Sequence, residues 1–139
     1  MYNPKNILYI ISSLASIEKI MIYTEGFNAA EALLAANNQM NFNATTTLLI
    51  AIAEETKKTD KQLLKTQPEI EWQNIAGMRN VLAHDYRGID PEIVFDVVKN
   101  ELPKLKTALI EALKLLPENS VKEVLQTKQY NHLKYILFK

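Results

Sequence analysis

The sequence predicts an all-α protein, an up-and-down bundle of about five helices. Five segments carry apolar residues at intervals of three and four, which is the helical period, and none shows the sustained alternation typical of a strand. The length, 139 residues, suits one domain, and 47% hydrophobic residues are enough to build its core. Repeats and low-complexity tracts are absent from the sequence. A single helical bundle is therefore the expected architecture.

The first predicted helix runs from about Pro4, at the first helical position, to Tyr23. Its apolar stripe predicts either a core face or a dimer surface, and comprises Ile7, Ile10, Ile11, Leu14, Ile17 and Met21. Gly26 breaks the pattern, and Asn28 is expected to cap a short continuation over 29–36. Polar residues interrupt this apolar segment, so we expect neither a transmembrane span nor a signal peptide.

A second long helix is predicted over about 44–64, and Pro68 ends that segment. The third helix begins at Glu71 or Trp72 and closes before Gly88. Its apolar side should bury, leaving Arg79 and His84 free to face a cleft; that side consists of Ile75, Met78, Val81 and Leu82.

The fourth helix is predicted from Pro91 to about Leu116, with Asp90 as its N-cap and Pro91 at the first position. Pro103 lies inside this helix and should kink it, whereas Pro117 should end it. The remaining segment is rich in Lys and Tyr. We therefore predict a helical domain over 1–116 and a C-terminal helical extension over 117–139 that packs on the same domain or on a partner.

Composition excludes several kinds of chemistry. Sixteen basic and sixteen acidic side chains give a formal net charge of zero, so any RNA contact must be local. Without cysteine the chain has no disulfide or thiolate metal site, and two histidines far apart in the sequence do not form a zinc motif. Three isolated glycines exclude a phosphate-binding loop. We expect no metal, no cofactor, no membrane association and a cytoplasmic location.

The most informative segment is 78–86, Met-Arg-Asn-Val-Leu-Ala-His-Asp-Tyr, which gathers Arg79, Asn80, His84 and Tyr86. Arginine offers a permanent cation with a planar fork of donors suited to phosphate, and histidine can exchange a proton at cellular pH. Together they could cleave a phosphodiester without a metal. A histidine capping a helix and an arginine in a surface ion pair would be the structural alternative.

Spacing limits how these side chains can meet. On a continuous helix Arg79 and His84 lie about 140° apart, whereas Asn80 and His84 share a face. A working site must therefore gather the residues where the helix ends, or across two copies of the chain.

The wider run from Pro68 to Tyr86 resembles the signature of the HepT-like toxins of the HEPN superfamily, in which Arg and His are separated by four to six residues. Here the pattern takes the form R-x4-H-x-Y, with Arg79, His84 and Tyr86 in the fixed places. The resemblance covers 5 to about 115, and the flanking matches are Trp72, Gly77, Met78, Ile89, Val94, Leu102 and Pro103.

The resemblance implies a HEPN-like fold and a metal-independent endoribonuclease, the toxin of a bacterial or archaeal toxin–antitoxin system of type II or VII. His84 would serve as general base or acid, Arg79 would stabilise charge on the phosphoryl oxygens, and Asn80 would orient the histidine or the RNA. It also implies a homodimer whose two motifs face one composite cleft. The implied partner is a minimal nucleotidyltransferase antitoxin that transfers AMP to Tyr86.

Two matters stay open at this point. The alternative function is a non-catalytic HEPN dimer that binds a nucleotidyltransferase as its substrate-binding or regulatory subunit, and the neutral net charge favours it slightly.

Glu54 follows Ala53 where relatives of this kind usually carry glycine and then glutamate, so the helix packing there should be slightly wider. Glu54 itself is either a site-orienting acid or part of a solvated face, and the solvated face is favoured.

Overall fold

The computed structural model describes residues 2–83 and 88–137, and within these ranges it contains helices and no strand. The predicted all-α class is therefore confirmed. In chain order the helices are α1 (Lys5–Thr24), α2 (Ala30–Ala35), α3 (Met40–Lys58), α4 (Lys61–Leu64), α5 (Trp72–Ala83), α6 (Pro91–Asp96), α7 (Leu102–Leu113), α8 (Glu118–Leu125) and α9 (Lys134–Leu137).

Helix α1 is the centre of the bundle, because α3, α7 and α8 all pack against it. The predicted stripe forms the core face: five of its members are 4% exposed or less, namely Ile7, Ile10, Ile11, Leu14 and Ile17. By length and composition alone α1 could also cross a membrane, since its mean hydropathy is 1.4 over an 18-residue window. Core helices pass the same test, and 56% of this window is buried inside the fold.

The second long helix differs from the prediction at both ends. Helix α3 begins earlier, at Met40, and ends at Lys58, and the short α4 follows after a break at 59–60. Asp60 is extended there (φ −56°, ψ 127°), and its carboxylate accepts hydrogen bonds from the Asn3 N–H (3.1 Å) and the Asn6 Nδ2 (2.8 Å). The Asn6 Oδ1 in turn accepts from the Asp60 N–H at 2.9 Å. These bonds to the start of α1 hold the backbone out of helical conformation.

The start of α2 also differs from the prediction. The predicted cap residue Asn28 lies outside the helix, whose N-cap is Ala29 without a side-chain hydrogen bond. Helix α2 is therefore stabilised by its packing on α6, without a side-chain cap. Gly26 does break the chain direction as predicted, because its φ of +84° is a conformation that side chains disfavour.

Helix α5 buries most of its predicted apolar side. Ile75 and Met78 are each 9% exposed and Leu82 is 3% exposed, but Val81 is 58% exposed, so its predicted burial is wrong. The reason is that α3 packs on one side of α5 and Val81 points to the other.

The predicted fourth helix is continuous through a π-helical turn, Val97–Glu101, that joins α6 to α7. The Asp90 cap is confirmed, since its carboxylate accepts the Glu92 N–H at 2.9 Å. Pro103 has no N–H to donate to the carbonyl of Lys99, and Lys99 lies within this π turn. The kink expected at Pro103 therefore takes the form of a wider helical turn. The α-helix ends at Leu113, slightly before the predicted Leu116.

Beyond α7 the chain returns to the bundle. Helix α8 packs on α1 and contributes Val121 and Leu125 to the core.

Partial burial beside the Glu18 carboxylate, which accepts a hydrogen bond from the Tyr135 hydroxyl, raises the pKa of Tyr135. The same carboxylate lies 2.7 Å from the Lys106 ammonium. Division of the chain into a domain over 1–116 and an extension stays a prediction.

Candidate active site

The candidate site is built on α5, the helix that carries the start of the R-x4-H-x-Y motif. Arg79 and Asn80 lie in its last turns, and both side chains are exposed. His84 and Tyr86 lie outside the described residues. The structure therefore places the arginine and asparagine of the predicted site, and the roles of the histidine and tyrosine stay predictions.

Arg79 faces α3, where its Nε contacts the Oε1 of Glu54. The arginine side chain is 47% exposed and the glutamate side chain 39% exposed. At such exposure an ion pair contributes at most about 1 kcal/mol to stability, so its main consequence is the position of the guanidinium. The carboxylate and the guanidinium are both partly exposed, so Glu54 lies on a solvated face as the favoured interpretation predicts, and it also pairs with Arg79.

The sequence contained a partial signal for this pair. Glu54 and Arg79 are opposite charges on two helices, but helical spacing relates only residues within one helix. Their contact depends on the packing of α3 on α5, which buries the neighbouring Ala53 completely. Ala53, at the position where the resemblance implies glycine, is thus accommodated within the core.

A groove of about 670 Å³ lies on the other side of α5, between this helix and the α6–α7 segment. Gly77 and Val81 line it, and each is about 160° around the helix from Arg79. Two exposed aliphatic side chains border the groove, Val81 at 58% and Ile93 at 49%. The motif helix therefore presents its guanidinium and its apolar groove in opposite directions.

Among the described residues, the groups whose pKa values are shifted lie outside α5. The groups with shifted pKa values are Asp60, at the start of α4, and Tyr135, in α9. In the ranges 2–83 and 88–137, no cluster of three or more His, Cys, Asp or Glu side chains could hold a metal ion.

Arg79 can still bind an anion in this arrangement. Its contact with Glu54 is made through Nε, and the fork of an arginine also carries the two Nη atoms as donors. A phosphate could be bound by those donors while the carboxylate stays in place.

Several known proteins resemble this chain in sequence. The sequence profile of the ribonuclease HepT-like family matches residues 13–113. "Putative RNase MJ0125" of Methanocaldococcus jannaschii is 32% identical over 110 residues, which cover 79% of this chain and 92% of that protein. "Putative RNase MJ1380" of the same organism is 30% identical over 98 residues, covering 70% of this chain and 87% of that protein.

A third relative carries the family's name. "Probable ribonuclease HepT" of Thermococcus cleftensis is 36% identical over 55 residues, which are 40% of this chain and 50% of that protein. No solved structure matches the chain. The family and the enzyme class predicted from the sequence are confirmed by these matches. The chain belongs to the ribonuclease HepT-like family.

Proposed function

We propose that this protein is the toxin of a toxin–antitoxin system and cleaves RNA endonucleolytically without a metal, with Arg79 and His84 as its catalytic residues. The observation that carries the proposal is the exposed Arg79 guanidinium, held by a carboxylate on a neighbouring helix, at the start of an R-x4-H-x-Y motif. The family match over 13–113 supports the enzyme class.

The proposed reaction is a transesterification within the RNA. The 2′-hydroxyl gives its proton to a base as its oxygen forms a bond to the adjacent phosphorus, and the bond from phosphorus to the 5′ oxygen breaks. The leaving oxygen takes a proton, so the products are a 2′,3′-cyclic phosphate and a 5′-hydroxyl. His84 transfers a proton in this scheme, and the Arg79 Nη donors stabilise charge on the phosphoryl oxygens.

We further propose that the active form is a homodimer. His84 lies five positions after Arg79, an angle of about 140° on a helix, so a second copy would help to bring both kinds of side chain to one cleft. The groove beside α5 supports contact between two copies on the side of the helix away from Arg79, because Val81 and Ile93 expose aliphatic surface on its border. Exposed apolar surface with a polar rim is typical of contact surfaces between proteins.

The proposed control of the toxin is AMP transfer to Tyr86 by a minimal nucleotidyltransferase. A tyrosine two residues after the catalytic histidine would bring the added phosphate close to the motif. That phosphate would compete with RNA for Arg79 through the same charge-assisted hydrogen bonds.

A cleavage assay with a defined RNA in the presence of chelator tests the proposed function. The purified protein should cut the RNA, and Arg79→Ala should lower the rate by roughly 100-fold or more, because it removes a donor to the developing charge. An Arg79→Ala variant that folds and cuts as fast as the parent would contradict the assignment. A parent protein that cuts no RNA and binds a nucleotidyltransferase would favour the non-catalytic dimer, the function that the zero net charge also favours.

A further inference from the structure

We propose that Glu54 is a positioning residue for the ribonuclease reaction: it holds the Arg79 guanidinium by Nε so that the Nη atoms face the RNA phosphate. This inference rests on the proposed function, because it assumes that Arg79 acts on phosphate. It adds a residue from outside the R-x4-H-x-Y motif, on a different helix, to the active site.

The contact is specific to one atom on each side chain. The Oε1 of Glu54 meets the Nε of Arg79, and that oxygen is buried although the glutamate side chain as a whole is 39% exposed. Among the residues that the structure describes, this oxygen has no hydrogen-bond partner, and its contact with the Arg79 Nε is an ion pair. The positive charge of the guanidinium offsets the burial of this carboxylate oxygen, which favours an arginine side chain that stays beside Glu54.

The choice of Nε determines what the arginine can still do. A guanidinium has five N–H donors, one on Nε and four on the two Nη atoms. A carboxylate contact through Nε leaves the Nη edge for a second anion, and the Arg79 side chain is 47% exposed. Glu54 therefore restricts the rotation of the side chain without occupying the whole fork.

The helix that carries Glu54 is anchored in the core. Its neighbours on α3, Ile52 and Ala53, are both fully buried, and α3 packs directly on α5. A side chain on a helix anchored in this way is fixed more closely than one on a loop. A long arginine side chain would otherwise spread over many rotamers, and loss of orientation at a reacting group lowers the rate of the chemical step.

Kinetics of Glu54→Gln test the proposal. We expect kcat for RNA cleavage to fall by roughly 10- to 100-fold while KM changes by less than about threefold, because orientation matters most in the transition state. The matched control is Glu55→Gln, the neighbouring glutamate, whose carboxylate instead pairs with Lys58 at 3.5 Å. This control should leave both constants unchanged.

A double variant separates positioning from a general effect on the fold. In an Arg79→Ala background the further change Glu54→Gln should have no effect on the residual rate, because there is no guanidinium to orient. Equal losses in both backgrounds would overturn the proposal. A lower KM or a higher kcat in Glu54→Gln would also overturn it, since Glu54 would then be a competitor of the phosphate.

A spectroscopic measurement examines the contact without any activity. The chain has two arginines, Arg79 and Arg87, so the Nε–H signal of Arg79 can be assigned in a ¹⁵N-labelled sample by its loss in Arg79→Ala. Glu54→Gln should shift this signal and speed its exchange with water, whereas Glu55→Gln should not. An unshifted signal would mean that the contact does not form and would refute the proposal.

The activities of Arg79→Ala and Glu54→Gln also separate this proposal from the proposed function. Full activity in Arg79→Ala would contradict the ribonuclease assignment, and the positioning role would fail with it. An inactive Arg79→Ala together with a fully active Glu54→Gln would refute the positioning role alone.

Discussion

At the scale of single residues, the proposed chemistry involves a short segment and one acid that lies outside it. Arg79 is exposed and bound to Glu54, whereas the roles of His84 and Tyr86 follow from their places in the motif. The arginine and histidine are scarce residue types in this chain, two of each, which made the motif detectable in a sequence of neutral net charge.

His84→Ala should abolish RNA cleavage and growth arrest while the helical content and melting temperature stay close to those of the parent. A general acid or base typically contributes about 10²–10⁴-fold to the rate, so a loss in that range is expected. The measurement is the cleavage rate together with thermal unfolding followed by circular dichroism. His132→Ala, which changes the other histidine, is the control, and equal losses in both variants would contradict a specific role for His84.

Tyr86→Phe should leave toxicity largely intact and make it resistant to a cognate nucleotidyltransferase. The change keeps the aromatic ring and deletes the oxygen that would accept AMP. Intact-mass measurement after co-expression checks this, with an AMP-sized increment expected on the parent chain. If the increment persists in Tyr86→Phe, the modified residue is another one.

At the scale of helices, the sequence predicted what periodicity and local capping determine. The buried stripe of α1 and the Asp90 cap of α6 follow from residues close together in the chain, and both are confirmed. The break between α3 and α4 was not predictable in this way, because it depends on bonds from Asp60 to Asn3 and Asn6. Glu54 and Arg79 were missed as a pair for the same reason.

The Asp60 contacts predict how stability depends on pH. Hydrogen bonds from the Asn6 side chain and then the Asn3 N–H hold the pKa of Asp60 below its ordinary value of 3.8. Because the folded-state pKa is the lower one, this stabilisation is fully present above pH 3.8 and is lost as the pH falls through the folded-state pKa.

Asp60→Asn should therefore be less stable than the parent at pH 7, and the difference should shrink at strongly acidic pH. Urea unfolding at a series of pH values measures the free energy of unfolding of both chains. Asp96→Asn is a suitable control, because Asp96 accepts a hydrogen bond only one helical turn away, from Asn100. A difference between parent and Asp60→Asn that is the same at every pH would contradict the account.

At the scale of the whole molecule, the bundle surrounds α1 and leaves the apolar groove of α5 and α6–α7 open. Periodicity could not predict that opening, since it assigned Val81 to the core and the packing of α3 left that residue exposed. The groove and the guanidinium lie on opposite sides of one helix.

Val81→Glu should weaken the proposed dimer without unfolding the chain, because the side chain is 58% exposed within one copy. Light scattering should show a dimer for the parent at micromolar concentration and a larger monomer fraction for the variant, with reduced RNA cleavage. Ile22→Glu places the same charge on a 68% exposed aliphatic residue of α1, outside the groove lining, and should remain dimeric. A parent chain that is monomeric at these concentrations would refute the dimer.

The most direct test of the central claim is mass spectrometry of the RNA ends that the protein produces in the presence of chelator. Attack by the 2′-hydroxyl predicts fragments that end in a 2′,3′-cyclic phosphate and begin with a 5′-hydroxyl, and these should disappear in Arg79→Ala and His84→Ala. Intact RNA, or fragments with 3′-hydroxyl and 5′-phosphate ends, would contradict the account.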